Sequence, residues 1–307
     1  MVYRKPIYVE TCIQSPVEQV WEYTQDPSKH TEWDLRFSRI EYLPRPDASK
    51  PQRFLYQTRI GFGLVIQGEG ESMGTIEKEN GERTSSLRFS AEQKISLIRK
   101  GAGYWKYVPV EEGTRFFTQY DYQTRFGILG EWVDKLAFRP LMGWATAWSF
   151  DALRLWLEKQ IHPSLSFRRS LIQYLIVFTL AFVWVYQGFV PKIWFPDTGE
   201  MELLRGTGWF AADFEMSVVT VAGLMEILFG FLFLWLWRTK GIFIINIVLM
   251  LALGAAAALG DAAVWTAPFN PVTFNVSLAV LSFIALLNRT HLPDARHCKR
   301  TRRERDA

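Results

Sequence analysis

Between residues 171 and 288 the chain carries four long apolar runs, at 171–190, 216–237, 241–259 and 272–287, and no other feature limits its fold so strongly. A helix needs about 20 apolar residues to cross roughly 30 Å of hydrocarbon, and each run approaches that length. Backbone polar groups have no water to bond inside a bilayer, so runs of this kind must be helical. Four spans in so little sequence leave only short connections, which predicts a compact antiparallel bundle over 171–290.

Lysine and arginine near the ends of the runs set the orientation. Arg168 and Arg169 precede the first, Arg238 and Lys240 separate the second from the third, and Arg289, Arg296 and the basic run 299–305 follow the fourth. On the other side Lys192 and Arg205 are diluted by Asp197, Glu200, Glu202, Asp213 and Glu215, and 261–269 holds no lysine or arginine. The expectation is a multi-pass protein of the cell (inner or plasma) membrane with both termini cytoplasmic. Residues 1–6 lack the apolar core of a signal peptide, which agrees. The net charge of +4 is concentrated in the tail 291–307, expected to be a basic cytoplasmic segment held against anionic lipid. No basic face marks the remainder, which argues against a nucleic-acid partner. Cys12 and Cys298 stand at opposite ends, and no cysteine or histidine cluster has metal spacing, so neither a disulfide framework nor a metal is expected.

Residues 1–160 read differently. An opening strand to Ile13 is followed by Ser15-Pro16-Val17-Glu18, which predicts a helix with Ser15 as N-cap and Pro16 at its first position. Asp26-Pro27 ends it, and His30 to Asp34 make a short helix or turn that leaves His30 at the surface. From 36 to 126 strand follows strand: Phe116, Thr118, Tyr120, Tyr122 and Thr124 alternate with Arg115, Gln119, Asp121 and Gln123, as one lined face and one wet face require. Asn80-Gly81 marks a hairpin turn. Leu129, Trp132, Val133, Leu136, Leu141, Trp144, Trp148, Ala152 and Leu155 recur every three to four residues, predicting a closing helix of about 30 residues that covers the sheet, curved at Pro140. The fold class is thus an α+β helix-grip domain, a curved antiparallel sheet with a long C-terminal helix, followed by a short linker at 161–170 and an all-α four-helix transmembrane bundle.

Ser15-Pro16-Val17-Glu18-Gln19-Val20-Trp21, Asp26-Pro27, Trp33-Asp34 and the tryptophan-rich closing helix resemble the SRPBCC superfamily of START-like domains. That resemblance implies a hydrophobic cavity between sheet and long helix, holding a lipid, polyketide or other apolar molecule. The stretches 185–192, 199–204, 222–230 and 269–272 are similar to the DoxX-like family of four-helix membrane proteins. Broad relatives there look like accessory subunits of quinol-linked oxidoreductases.

Candidate cavity walls are Trp33, Tyr56, Tyr104, Tyr120, Tyr122 and Trp148, although aromatic stripes of this kind are more often plain core than ligand site. Within the spans the polar residues are Glu226, Asn246 and Asn275. A carboxylate near the middle of a span costs about 2.5–3.5 kcal/mol unless it faces the bundle or is protonated. Glu226 is therefore either a proton relay or polar ligand contact, or a neutral acid bonded to a neighbour such as Asn246 or Ser217. Lys192 and Glu200, with Glu202 and Asp213, form either an ion-paired lid on the outer loop or a solvated surface. The four histidines, at 30, 162, 291 and 297, all fall outside the spans, which rules out bis-histidine haem in the bundle. The leading functional expectation is capture of a lipid or other hydrophobic small molecule at the membrane surface, with membrane lipids as partners and no cofactor. The alternatives are an accessory component of a quinone-linked oxidoreductase, with quinone as cofactor, and an enzyme acting in the soluble cavity, for which no acid–base pair is evident.

Overall fold

The computed structural model describes residues 5–302 except 46, 48, 49, 62, 197–200, 202–203, 206–210, 261–265 and 267. The chain forms two compact units: residues up to Phe167 together with those from His291 onward, and Arg168–Thr290 between them.

In the first unit seven strands make one antiparallel sheet, in the order β1-β7-β6-β5-β4-β3-β2. They are β1 (Ile7–Ile13), β2 (Arg39–Tyr42), β3 (Arg53–Gly61), β4 (Leu64–Glu77), β5 (Arg83–Ser90), β6 (Ile98–Val110) and β7 (Gly113–Thr124). Two short helices, α1 (Val17–Gln25) and α2 (Pro27–Trp33), fill the connection between β1 and β2. Pro16, not Ser15, is the N-cap of α1, because the Pro16 carbonyl accepts from the amides of Gln19 and Val20. The Ser15 hydroxyl bonds the Gln19 side chain instead. Asp26 ends α1 and caps α2 by accepting from the Ser28 amide at 2.8 Å.

Strand alternation assigns the two faces. Phe54, Gly70, Phe89, Gly101 and Tyr122 stand in one inward row, while Arg53, Glu71, Arg88, Ala102 and Asp121 form the outward row beside it. The rings of Phe54 and Tyr56 lie flat over Gly70 and Gly68, where a Cβ would sit 2.1 and 2.3 Å from ring atoms. Glycine in these strands is what lets a large ring cover the sheet. The outward rows carry an open cleft of about 650 Å³ bounded by Arg53, Glu69, Glu71, Arg88, Lys100 and Asp121.

The closing helix is one continuous run with a fault in it. α3 (Gly127–Val133) passes through a π-helical turn (Asp134–Phe138) into α4 (Arg139–Lys159). From Thr146 to Leu157 nearly every residue is buried, and Phe150 stacks on Phe116 with ring centroids 4.4 Å apart. The earlier part of the expected apolar stripe does not pack on the sheet. Ile128 is 77% exposed, Leu129 71%, Trp132 62% and Leu136 69%. The inward positions there are Gly130 and Asp134, whose carboxylate accepts from the Tyr122 hydroxyl at 2.7 Å and from Arg139 Nε at 3.0 Å.

As far as it is described, the C-terminal segment belongs to this unit as well, while residues 303–307 of the basic tail lie outside the described residues. Lys299 pairs with Glu10 along the free edge of β1, amide to carbonyl in both directions at 2.8 and 2.9 Å. A 3₁₀ turn (Ala295–His297) precedes it, and Ala295 and Cys298 join the hydrophobic core. The expected linker at 161–170 is helical from Pro163 onward.

The second unit is built from four helices long and apolar enough to cross a membrane. They are α5 (Pro163–Phe189, extended by a π-helical turn, Val190–Trp194), α6 (Ala212–Leu236), α7 (Lys240–Gly260) and α8 (Pro271–Asn288). Leu180, Phe233, Phe243 and Ala285 are fully buried between them, whereas most large apolar side chains face outward. That inversion is what lipid as solvent requires. Asn270 caps α8 by accepting from the Thr273 amide at 2.9 Å.

Candidate functional site

In the first unit α4 packs on the β1–β7–β6 side of the sheet, and the inner face is covered unevenly. Tyr107, Phe116, Tyr120 and Tyr122 on β6 and β7 are buried, but Phe54, Thr58, Leu87 and Phe89 on β3 to β5 stay half-exposed although they point inward. The inner face is thus closed over β6 and β7 and left partly open, apolar and aromatic, over β3 to β5.

A buried ionic group belongs to the same interior. Asp34 follows α2 and is fully buried. Its two oxygens receive Arg36 Nε at 2.9 Å and Nη2 at 2.6 Å in a bidentate fork, and His30 Nε2 lies 3.0 Å away. Burial opposes the charge on Asp34, but the guanidinium and the imidazole overcome it and hold the carboxyl well below the usual range. The guanidinium lies 5.5 Å from the centroids of both the Phe37 and Tyr120 rings. Tyr120 shares a 2.9 Å hydrogen bond with Thr146 of α4, and burial raises its pKa. Burial alone pushes the Tyr56 phenol up to about 12. Such phenols stay protonated at neutral pH and act as hydrogen-bond donors or acceptors. His30 is stacked on Trp33 and edge-on to Trp105, not at the surface.

Of the six aromatic residues expected to line a cavity, Trp33, Tyr56, Tyr120, Tyr122 and Trp148 are buried in this interior. Tyr104 is not with them: it pairs in register with Gln119 on the outward parity, bonds the Gln119 side chain at 3.3 Å and packs on Phe117. Asp34 and Arg36 are not among the expected site residues, although an acid and a base two residues apart after Trp33 are visible in the sequence.

In the second unit α5 and α6 cross at Gly188 and Gly223. A Cβ on Gly223 would stand 2.6 Å from the Gly188 carbonyl oxygen, and one on Gly188 would stand 2.4 Å from that of Gly223. Small residues at such a crossing let backbones approach where lipid supplies no hydrophobic drive. Beside it Lys192 Nζ and Glu226 Oε2 form an ion pair at 3.1 Å. Side chains tilt toward their own helix N-terminus, and these helices run antiparallel, so the two long side chains converge from opposite directions. Glu226 lies eleven residues from Trp237, about 16 Å along the helix, near the middle of a roughly 30 Å apolar layer.

This arrangement corrects the partner expected for Glu226. Glu226 pairs with Lys192 and not with Asn246, and Lys192 stands on the helical end of α5. Asn246 instead accepts from Trp184 Nε1 and donates to Ser282, both at 2.7 Å, tying α5, α7 and α8 together. Asn275 is buried on α8 against Gly254. Asp213 is exposed at the start of α6, where Arg205 bonds Glu215 at 2.8 Å. Glu200, Glu202 and Asp261 lie outside the described residues. Among the described residues no group of three histidine, cysteine or acidic side chains is placed to hold a metal.

Comparison with known proteins divides along the same line. Residues 181–283 match the model of the DoxX-like family. Over 302 residues the chain is 42% identical to the uncharacterized membrane protein YndG of Bacillus subtilis (strain 168), covering 98% of this chain and 99% of that one. Among solved structures, a STAR-related lipid transfer protein from Xanthomonas axonopodis superposes with a TM-score of 0.36 at 17% identity, over 48% of this chain and 82% of the other. The Zhui aromatase/cyclase from Streptomyces gives 0.34 at 12% identity, over 45% and 87%. A protein from Thermus thermophilus gives 0.38 at 21% identity, over 48% and 94%.

Proposed function

Since the chain belongs to the family of the Bacillus subtilis membrane protein YndG, with a DoxX-like membrane region fused to a helix-grip domain, we propose that it binds a hydrophobic small molecule at the membrane surface. The observation that carries this reading is the uneven cover of the sheet. An aromatic inner face left half-exposed over β3 to β5 has apolar area that a bound molecule would bury. Fusion to four spans supports it, because a molecule that partitions into lipid is then concentrated next to its site. The helix-grip domain lies on the cytoplasmic side in this reading. Arg169 bonds the Asn288 and Thr290 carbonyls, and Arg289 bonds the Arg238 carbonyl, so one end of the bundle gathers the cations that favour the inner face.

The test is native mass spectrometry of the full chain released from its own lipid, compared with a Phe89→Glu variant. The reading predicts an apolar adduct of constant mass on the wild type and its loss from the variant. Repeated preparations without an adduct, together with no uptake of added lipid, would refute it. A reporter fused to the C-terminus and active only outside the cell would overturn the orientation.

A further inference from the structure

The helix segment from Phe126 to Leu141 is amphipathic in the wrong sense for a protein in water. Its outward face is made of Ile128, Leu129, Trp132, Val133, Leu136 and Leu141, all between 46% and 77% exposed. Its inward face carries a buried acid, Asp134, held by Tyr122 and by Arg139, which itself reaches Asp121 at 2.9 Å. The acid is therefore turned away from the apolar stripe. The charges left outside among these residues are Glu131 and Lys135, which cancel. Contiguous exposed apolar surface of this extent marks an interaction site and not ordinary protein surface.

We propose that this segment is a membrane-docking helix: it lies in the interface of the bilayer that the four spans of the same chain cross. The occupant follows from the chain itself. Four spans hold the first unit at a bilayer at all times, so a lipid surface is the apolar phase always within reach. Composition agrees, since a helix lying in the interface presents leucine, isoleucine and tryptophan to the acyl boundary and needs little net charge on a surface of mixed lipid. Trp132 sits mid-stripe with an apolar body and a polar N–H, the pairing favoured at headgroup depth. Gly130 and Asp134, four residues apart, take the inward positions, which leaves the apolar residues around them on the outward side. This inference stands apart from the ligand: the segment docks whether or not a molecule covers the inner face.

The experiment places single nitroxide labels on the full chain in vesicles of phosphatidylethanolamine and phosphatidylglycerol, in a Cys12→Ser, Cys298→Ala background. Leu129→Cys and Leu136→Cys report on the stripe, and Glu79→Cys in the exposed β4–β5 turn reports on water. Docking predicts that oxygen, which concentrates in lipid, relaxes the labels at 129 and 136 several-fold more effectively, relative to a water-soluble nickel chelate, than it does the label at 79. Equal ratios at all three positions would overturn the proposal. So would labels at 129 and 136 shielded from both reagents, or spin–spin broadening that vanishes on dilution with unlabelled chain, because either outcome means that protein covers the face.

Discussion

Replacing Asp151 by alanine removes the acceptor on which the C-terminal segment is fastened. The carboxylate is fully buried on α4 and receives three donors: Arg154 Nε at 2.7 Å, the Asp294 amide at 2.8 Å and His297 Nδ1 at 2.9 Å. Breaking a buried charged network by deleting one partner costs about 3–5 kcal/mol. Arg154 keeps its second partner, Glu158, at 2.8 Å, and His297 is half-exposed, so the lower limit of about 3 kcal/mol applies here. Cys298 supplies the local probe. It is buried, its thiol donates to the Ala147 carbonyl at 3.2 Å, and burial pushes its pKa up to about 12. It reacts only when the segment lifts. A loss of about 3 kcal/mol raises the lifted population by roughly a hundredfold, at about 1.4 kcal/mol per factor of ten. In a Cys12→Ser background, the rate of maleimide labelling should rise by that order in Asp151→Ala. His297→Ala, which removes one charge-assisted bond, should give roughly tenfold for a loss of about 1.5 kcal/mol. An unchanged rate in Asp151→Ala, or fast labelling of the wild type, would show that the segment is not fastened there.

Four further outcomes follow. Glu10 is buried, which opposes its charge, but the Tyr8 hydroxyl and Lys299 outweigh burial and lower its pKa. Its stabilising share is therefore complete above the ordinary glutamate value of about 4.3 and lost as pH falls through the lower folded value. Cys298 labelling by 4,4′-dithiodipyridine, which reacts in acid, should accelerate below about pH 4, and Glu10→Gln should remove that acceleration. Arg36→Met should lower stability to thermal unfolding by about 3–5 kcal/mol, while Asp34→Leu/Arg36→Met recovers most of the loss, since the double change leaves no lone buried charge. Gly223→Leu should cost at least about 1–3 kcal/mol in detergent melting, because its side chain meets the Gly188 backbone and Lys192. Lys192→Met should lower the melting temperature more than Lys192→Met/Glu226→Gln does, the measure being whether Glu226 is stranded without its cation.

What the sequence reveals here depends on how far apart the interacting residues are. The spans are legible because length and polarity are local, and the strands because alternation has a period of two. Periodicity does not say which stripe of a helix meets the sheet. Leu129, Trp132 and Leu136 repeat every three to four residues, yet Gly130 and Asp134 take the inward positions and the apolar residues stay exposed. Tyr104 departs from expectation for a related reason: alternation within one strand does not name its faces, and only the register with Gln119 assigns its side. The His30–Asp34 contact spans only one helical turn, but the spacing alone does not show that this turn is buried, and so the sequence suggests a surface position for His30. The pairing of Lys192 with Glu226 is hidden because Pro191 suggests a helix end, whereas the chain continues through it in a π-helical turn. No pattern could show that Lys299 pairs with Glu10, a separation of 289 residues.

That last pairing has a consequence for assembly. β1 is an edge strand of the sheet, and its free side is met by residues that are synthesised only after the fourth span. Asp151, buried on α4, likewise receives Asp294 and His297 from beyond that span. The first unit therefore reaches its complete hydrogen bonding only once α8 has been made and the chain has come back to the side where β1 and α4 already lie. An even number of crossings returns it to that side, so the tail contacts agree with four spans. An edge strand left uncovered is also the part of a sheet most prone to pair with another chain. The C-terminal segment thus covers the free edge of β1 at Glu10, and it can do so only in a chain whose membrane half crosses an even number of times.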